Sequence, residues 1–173
     1  MPISPYLRQL RERVGPELLL VPSVTAVIYD EHGRILLARH AESDVWVAPG
    51  GSVDPHESPA DAVVRETWEE TGLSVRPAAL LGVYGGREFL VTYANGDRVA
   101  YLMTVFECGI VEGTARPDGV ETLELRWVSE ADIAGLRLPV WAHVVLADAF
   151  HGRGRTHFRA PSWRPPAGQA GAT

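Results

Sequence analysis

The sequence has a single cysteine, Cys108, so no disulfide can form within the chain. Disulfides are a feature of secreted proteins, and one cysteine therefore fits a reducing compartment. Cys108 follows an apolar run, and we interpret it as a small buried residue rather than as a nucleophile.

Long apolar stretches and a targeting segment are also lacking. No run of residues approaches the roughly 20 that a membrane-spanning helix needs. The first residues, Met1 to Arg8, do not combine a basic region with an apolar run and a small-residue cleavage site. We therefore expect a soluble cytoplasmic protein without a membrane partner.

Basic residues are fewer than acidic ones, 16 against 22, which gives a formal net charge of −6. A protein that binds duplex nucleic acid normally has a basic face, so this balance argues against such a partner. It leaves a nucleotide substrate open, because metal ions can neutralise phosphate charge locally. The six histidines are scattered without ligand spacing.

The predicted elements alternate between strands and helices. Strands are predicted at residues 21–29, 34–39, 79–84, 89–93, 98–108 and 123–128. The first two are expected to pair as a hairpin, and Asn95-Gly96 is the turn signal of another hairpin. Helices are predicted at residues 5–14, 58–71 and 140–150, with a short one from Ser129. This mixture indicates an α/β sandwich with a mixed sheet.

A length of 173 residues suits one domain with its own core. We predict a single domain over residues 1–150, which includes the N-terminal helix 5–14. From residue 151 to residue 173, glycine, proline and arginine dominate without periodicity, and this composition predicts a flexible tail.

Three glutamates share one face of the helix predicted at residues 58–71. Glu66, Glu69 and Glu70 are spaced by three and four positions, which places them in a sector of about 100°. Like charges at such spacings destabilise a helix by roughly 0.2–0.5 kcal/mol a pair. A bound divalent cation would explain them, because carboxylate oxygens suit Mg²⁺ or Mn²⁺. A solvated acidic face is the alternative interpretation.

The stretch from Gly51 to Leu73 resembles the Nudix box. The box reads glycine, five residues, glutamate, seven residues, arginine-glutamate, an aliphatic residue, any residue, two glutamates, any residue, glycine and an aliphatic residue. The residues in register are Gly51, Glu57, Arg65, Glu66, Glu69, Glu70, Gly72 and Leu73. Thr67 departs from the pattern, because it stands at an aliphatic position and its hydroxyl needs a partner when buried.

This resemblance implies a fold, an activity and a set of site residues. Nudix proteins have an α/β/α sandwich with a mixed sheet, and they hydrolyse a diphosphate linked to another group with the help of Mg²⁺ or Mn²⁺. The implied metal ligands are Glu66, Glu69, Glu70 and the Gly51 carbonyl, with the three glutamates in the catalytic set. Arg65 is implied to be structural support that orients a carboxylate, with Glu57 as its partner.

The resemblance leaves the general base open. In some Nudix enzymes the base belongs to the box, and in others it is a loop glutamate far downstream. Glu121 precedes a predicted strand on such a loop and is the candidate catalytic residue from outside the box. An ordinary exposed turn carboxylate is the alternative.

The candidate substrate-binding residues are Trp46, Tyr84, Arg87 and Tyr93. Trp46 could stack on a base, but core packing explains an aromatic residue at this point as well, and hairpin packing explains the others. Residues 87–91 lack the proline or tyrosine that often marks ADP-ribose-specific or dinucleoside-polyphosphate-specific members. Substrates of the ADP-ribose, nucleotide-sugar and nucleoside triphosphate classes all stay open.

A second hypothesis belongs to a different class. A catalytically inactive Nudix-fold nucleotide sensor or interaction module would have the same fold, but such proteins usually lose box glutamates, and this chain keeps them. A third, an isoprenoid diphosphate isomerase, would want a cysteine near the site, and Cys108 is far from the box. Nudix hydrolases are often homodimers, so a homodimer is a further expectation.

Overall fold

A computed structural model describes residues 4–165. The helices are α1 (Pro5–Val14), α2 (Pro59–Thr71) and α3 (Val140–His151), and short 3₁₀ turns span Arg87–Phe89 and Glu130–Gly135. The strands are β1 (Leu19–Ile28), β2 (Ile35–His40), β3 (Trp46–Val47), β4 (Leu73–Tyr84), β5 (Leu90–Thr92), β6 (Arg98–Gly113) and β7 (Thr122–Val128). Within this part of the chain, no helix is both long enough and apolar enough to cross a membrane.

The strands form two sheets. In the larger sheet the order is β1-β6-β4, and β5 also pairs with β6. Strand β1 runs parallel to β6, whereas β4 and β5 run antiparallel to it. The smaller sheet has the order β3-β2-β7 with antiparallel pairs. The predicted α/β fold with a mixed sheet is confirmed.

Two apolar clusters lie on opposite faces of the larger sheet. Helix α3 and the smaller sheet cover one face, where Val27, Val105 and Val145 are fully buried. Helix α2 covers the other face through Ala62 and Val63. Cys108 lies in this second cluster and is buried, as the sequence predicted. Glu66 and Glu70 follow Ala62 and Val63 at helical spacing and lie on the same buried side of α2, whereas Glu69 is exposed.

The predicted hairpin between residues 21–29 and 34–39 is wrong. An isolated bridge joins Tyr29 to Ile35, but β1 then pairs with β6 and β2 pairs with β7. Residues 35–38 are buried on both faces, because Ile35 and Leu37 pack in the first apolar cluster and Leu36 packs in the second. A continuous apolar run is typical of a strand that is covered on both faces, and it does not indicate which strands pair with it.

Strand β4 begins at Leu73, earlier than the predicted strand 79–84. The sequence does not predict residues 73–78 as a strand because of Pro77, since proline is normally excluded from sheet interiors. The register with β6 shifts between Pro77 and Ala79, and such an irregularity accommodates a residue that cannot donate a backbone hydrogen bond.

Residues 152–159 differ from the predicted flexible tail. The His157 backbone N–H donates to the Leu81 carbonyl at 2.7 Å, and the Val83 N–H donates to the His157 carbonyl at 3.1 Å. Arg159 makes an ion pair with Glu88 at 2.9 Å. The two backbone hydrogen bonds of His157 pair the chain with the open edge of β4, which would otherwise leave backbone groups unpaired. Residues 166–173 of the predicted tail lie outside the described residues.

Candidate active site

Helix α2 begins and ends where its sequence predicts. The Ser58 hydroxyl accepts a hydrogen bond from the Asp61 backbone N–H at 3.1 Å, and Gly72 closes the helix in the left-handed conformation, with φ of 68°. Thr67 is fully buried, and its hydroxyl donates to the Val63 carbonyl at 2.6 Å. The threonine at the aliphatic position thus satisfies its polar group within the helix.

The glycine turn before α2 lies against strand β1. The Val24 N–H donates to the Gly51 carbonyl at 2.9 Å. A Cβ atom on Gly50 would lie 2.1 Å from the Val24 carbonyl oxygen, and a Cβ atom on Gly51 would lie 2.4 Å from the Glu66 carboxyl carbon. Position 50 therefore requires glycine for its contact with the backbone of β1, whereas a side chain at position 51 would displace the Glu66 carboxylate.

Arg65 connects the turn to three carboxylates. Its Nε and Nη2 donate to the two oxygens of Glu57 at 2.8 and 2.9 Å. Its Nη1 donates to Glu66 at 2.9 Å and to Glu69 at 3.2 Å, and Nη2 also donates to the Ser52 carbonyl at 3.1 Å. The hydrogen bonds from Arg65 lower the pKa of Glu57. Paired, parallel hydrogen bonds of this kind fix both side chains in one geometry.

Two of the glutamates on α2 are buried. Glu66 is 7% exposed and Glu70 is 1% exposed, whereas Glu69 is exposed. Burial raises the pKa of Glu66 to about 7 and raises the pKa of Glu70 well above its ordinary value. The Gly50 N–H donates to Glu70 Oε2 at 3.0 Å. Glu70 Oε1 is buried without a hydrogen-bond partner, and such an oxygen is costly in its charged form unless a positive group faces it.

Glu121 lies on the loop before β7 and is partly buried. Burial raises its pKa, and the charges of Asp118 and Glu69 add to this effect. The charge of Glu121 in turn contributes to the raised pKa of Glu66 and of Glu70. The Ala41 N–H donates to the Glu121 carbonyl at 2.8 Å, and Nε2 of the preceding residue, His40, lies 3.9 Å from Glu70 Oε1. The loop therefore lies on the same side of the molecule as Glu70.

The described residues, 4–165, contain no group of three or more His, Cys, Asp or Glu side chains close enough together to hold a metal ion. Instead, Arg65 donates a hydrogen bond to one oxygen of Glu66 and to one oxygen of Glu69, and the Gly50 N–H donates to one oxygen of Glu70. The predicted metal ligands are therefore neighbours on one helix face, and the structure does not gather their oxygens at one point.

Comparison with known proteins decides the family. A sequence model of the NUDIX domain matches residues 19–149. The chain belongs to the Nudix hydrolase family. Enzymes of this family generally use divalent metal ions. The resemblance that the box residues carry is thereby confirmed.

Relatives and solved structures support this assignment. A MutT-like protein of Streptomyces ambofaciens is 34% identical over 149 residues, which cover 86% of this chain and 88% of that protein. A Bacillus subtilis (strain 168) protein with the provisional name 8-oxo-dGTP diphosphatase is 36% identical over 66% of this chain and 67% of its own length. The crystal structure of a MutT protein from Methanosarcina mazei Go1 has a TM-score of 0.62 and 32% identity, over 76% of this chain and 94% of that chain.

Two predicted substrate-binding residues of this Nudix hydrolase belong to the core instead. Trp46 is 6% exposed, and the Arg126 guanidinium lies 4.6 Å from the centroid of its ring. Tyr84 is 7% exposed, and its hydroxyl donates to Asp148 Oδ2 at 3.0 Å. Both rings pack between the sheets and α3, so burial of large aromatic surface explains them and we withdraw them as substrate ligands.

The other two candidates lie on either side of the short strand β5. Arg87 is exposed on the 3₁₀ turn that follows β4. Tyr93 is partly buried, and its hydroxyl shares a hydrogen bond with the hydroxyl of Tyr101. The charged group of Arg87 is thus available to a ligand, whereas Tyr93 already has a partner within the protein.

Sequence reasoning missed His40 and Asp118. His40 ends β2, and its Nε2 lies 3.9 Å from Glu70 Oε1. No spacing signal points to it, because the contact depends on how β2 and α2 pack. Asp118 accepts backbone hydrogen bonds from the residues around Glu121. Its position before Gly119 is a turn signal that could have identified it.

Proposed function

We propose that this Nudix hydrolase cleaves the diphosphate linkage of a small nucleoside diphosphate derivative by attack of water on phosphorus, with Mg²⁺ or Mn²⁺ as cofactor. The observation that carries the proposal is the full set of box carboxylates, Glu66, Glu69 and Glu70, on one face of α2 beside the glycine turn. We also propose that residues 1–150 form one domain, against which residues 152–159 pack, that the enzyme works in the cytoplasm, and that it forms a homodimer.

The chemistry of the donor set fits a hard divalent cation. Glu70 Oε1, which is buried without a hydrogen bond, and the Glu66 carboxylate, close against Gly51, are oxygen donors in a region that disfavours unneutralised negative charge. We propose that Glu66, Glu69, Glu70 and the Gly51 carbonyl hold the ion. When bound, it would neutralise phosphate oxygens and make a water more acidic.

Arg65 has two separable tasks in this proposal. Its paired hydrogen bonds to Glu57 hold the loop between the glycine turn and α2. Its Nη1 is shared between Glu66 and Glu69, and this second contact is the one that cation binding would replace. The guanidinium can therefore stay bound to Glu57 when the ion binds, and its positive charge still offsets part of the negative charge of the α2 glutamates.

We assign the role of general base to Glu121. Its burial raises its pKa, which brings a carboxylate closer to the range in which a base works well near neutral pH. Turnover and Mg²⁺ affinity of Glu121→Gln test this role. A large loss of turnover with unchanged affinity supports it, and wild-type turnover removes Glu121 from the mechanism.

Nucleoside triphosphates are the first substrate class to test. The provisional name of the Bacillus subtilis relative, 8-oxo-dGTP diphosphatase, names such a substrate for that protein. Nucleotide sugars and ADP-ribose are the other two classes, since Arg87 offers a cation that any phosphate could meet.

A phosphate-release screen over these three classes, with Mg²⁺ and with Mn²⁺, tests the proposed function. Glu69→Gln and Glu70→Gln are measured beside the wild type, and Glu31→Gln, in the exposed turn between β1 and β2, is the matched control. We expect turnover in the wild type and the control and its loss in both box variants. Nucleotide binding without turnover of any compound would instead identify a Nudix-fold sensor or interaction module.

A further inference from the structure

We propose that Asp118 is a positioning residue, which holds the loop of Glu121 so that the Glu121 carboxylate faces the α2 glutamates. The inference rests on the proposed function, in which Glu121 is the general base. Asp118 itself does not touch the reacting atoms in this account. It acts through the backbone of the residues that follow it.

The hydrogen bonds of Asp118 define the shape of this loop. Its Oδ1 accepts the backbone N–H groups of Val120 at 3.1 Å, Glu121 at 3.1 Å and Thr122 at 2.8 Å. The Gly119 N–H donates to the Thr122 carbonyl at 3.0 Å, and Gly119 has a φ of 76°. One carboxylate oxygen thus accepts hydrogen bonds from three consecutive N–H groups and closes the turn. In a loop without regular structure such N–H groups would otherwise bind water.

The other side of the Glu121 backbone is also fixed. The Ala41 N–H, just beyond the end of β2, donates to the Glu121 carbonyl at 2.8 Å. Thr122 is fully buried as the first residue of β7 and pairs with His40. With the N–H held by Asp118 and the carbonyl held by Ala41, the peptide groups on both sides of Glu121 have set orientations. The direction of its Cα–Cβ bond follows from them.

The charge of Asp118 suits this task. Burial alone would raise its pKa, but the N–H groups of Thr122, Val120 and Glu121 outweigh that effect and lower the pKa. The side chain is therefore an ionised acceptor, and hydrogen bonds to a charged acceptor are stronger than those between neutral groups. An aspartate, rather than the longer glutamate, reaches N–H groups two to four residues ahead in the chain.

A plain loop-stabilising role is the competing explanation, and a double-mutant cycle separates the two. The variants are Asp118→Ala, Asp118→Asn, Glu121→Gln and the combination of Asp118→Ala with Glu121→Gln. If Asp118 acts through Glu121, we expect Asp118→Ala to lower kcat roughly 10- to 100-fold, as misplacement of a reacting group does. KM and Mg²⁺ affinity stay near the wild-type values. In the Glu121→Gln background the same substitution has no further effect on kcat.

Asp118→Asn is the rescuing variant. Its amide oxygen occupies the position of Oδ1 and still accepts N–H groups, so kcat returns to within about threefold of the wild type. Amide hydrogen exchange in the metal-free protein gives a readout that is independent of activity. Exchange at residues 120–122 becomes faster in Asp118→Ala and stays close to the wild type in Asp118→Asn.

The outcomes distinguish a failure of Glu121 as the general base from a failure of Asp118 as the positioning residue. Wild-type turnover in Glu121→Gln rejects the proposed general base. If kcat falls in Glu121→Gln but stays at the wild-type value in Asp118→Ala, only the positioning role of Asp118 is overturned. The positioning role is also overturned if Asp118→Ala lowers kcat equally in the wild type and in Glu121→Gln. It is overturned as well if kcat of Asp118→Asn is as low as that of Asp118→Ala. Should Asp118→Ala not fold, Asp118→Ser, which keeps one shorter acceptor, takes its place in the cycle.

Discussion

The backbone N–H of Gly50 donates a hydrogen bond to Oε2 of Glu70 at 3.0 Å, across 20 residues of sequence. This bond ties the glycine turn to the last turn of α2. Because Glu70 is almost fully buried, the oxygen bound to Gly50 has a fixed position, and the other oxygen has no hydrogen-bond partner. The turn therefore orients a proposed metal ligand in addition to joining β3 to the helix.

Gly50→Ala is expected to destabilise the protein. The new Cβ would lie 2.1 Å from the Val24 carbonyl oxygen, which is backbone of β1 and cannot move aside, and the φ of 156° disfavours a side chain. We expect a loss of about 2–4 kcal/mol in the free energy of unfolding, measured by urea denaturation. Gly135→Ala, where a Cβ meets open space, is the control. Equal losses in the two variants would contradict the account.

Gly51→Ala is expected to affect metal binding more than stability. The atom that its Cβ would meet at 2.4 Å is the carboxyl carbon of Glu66, the far end of a flexible side chain. The carboxylate can move, so the fold tolerates the change while the proposed ligand is displaced. We expect Mn²⁺ affinity, from titration calorimetry, to fall roughly tenfold. Unchanged affinity would show that Glu66 does not hold the ion.

The pH dependence of stability in the presence of EDTA is set in part by Glu66. Burial raises its pKa to about 7 in the folded protein, whereas a glutamate in an unfolded chain titrates near about 4.3. Between these values the unfolded chain has lost the proton and the folded protein retains it, so stability falls as the pH rises. The full loss is reached above about pH 7 and amounts to roughly 4 kcal/mol.

Glu66→Gln removes this dependence, because glutamine does not titrate. The free energy of unfolding of the variant relative to the wild type should therefore increase from about pH 4 to about pH 7.5 in EDTA. Urea denaturation at several pH values measures this difference. A difference that does not change with pH would mean that Glu66 is already ionised in the folded protein at low pH.

Truncation after His151 is expected to lower stability and to promote association. It removes the hydrogen bonds of His157 with Leu81 and Val83 and so exposes the edge of β4. Exposed strand edges pair with other chains. Thermal denaturation and light scattering compare this variant with a chain that ends at Pro165 and keeps all of these contacts. A truncated protein that stays as stable and as dispersed as this control would show that the segment is dispensable.

The sequence predicted best those elements whose signals are local. Helix α2 was predicted because Ser58 and Gly72 mark its ends within a few residues of sequence. The hairpin at Asn95-Gly96 was predicted for the same reason, and the structure has β5 and β6 on its two sides. The family assignment also succeeded because its glutamates and glycine occur at fixed spacings in one short segment.

Contacts between distant segments were the ones that sequence could not predict. The pairing of β2 with β7 and of His157 with β4 depends on which edges the folded layers leave open. Trp46 and Tyr84 were ambiguous because an aromatic side chain suits both a core and a base-stacking site. The contact of His40 with Glu70 likewise arises only when two layers pack together.

The proposed hydrolysis depends on a divalent ion that the α2 glutamates hold. Titration of Mn²⁺ into the wild type, Glu70→Gln and the control Glu31→Gln, with binding detected by calorimetry, tests it most directly. We expect equal binding by the wild type and the control, and at least about tenfold weaker binding by Glu70→Gln. Binding by Glu70→Gln that equals the wild type would contradict it.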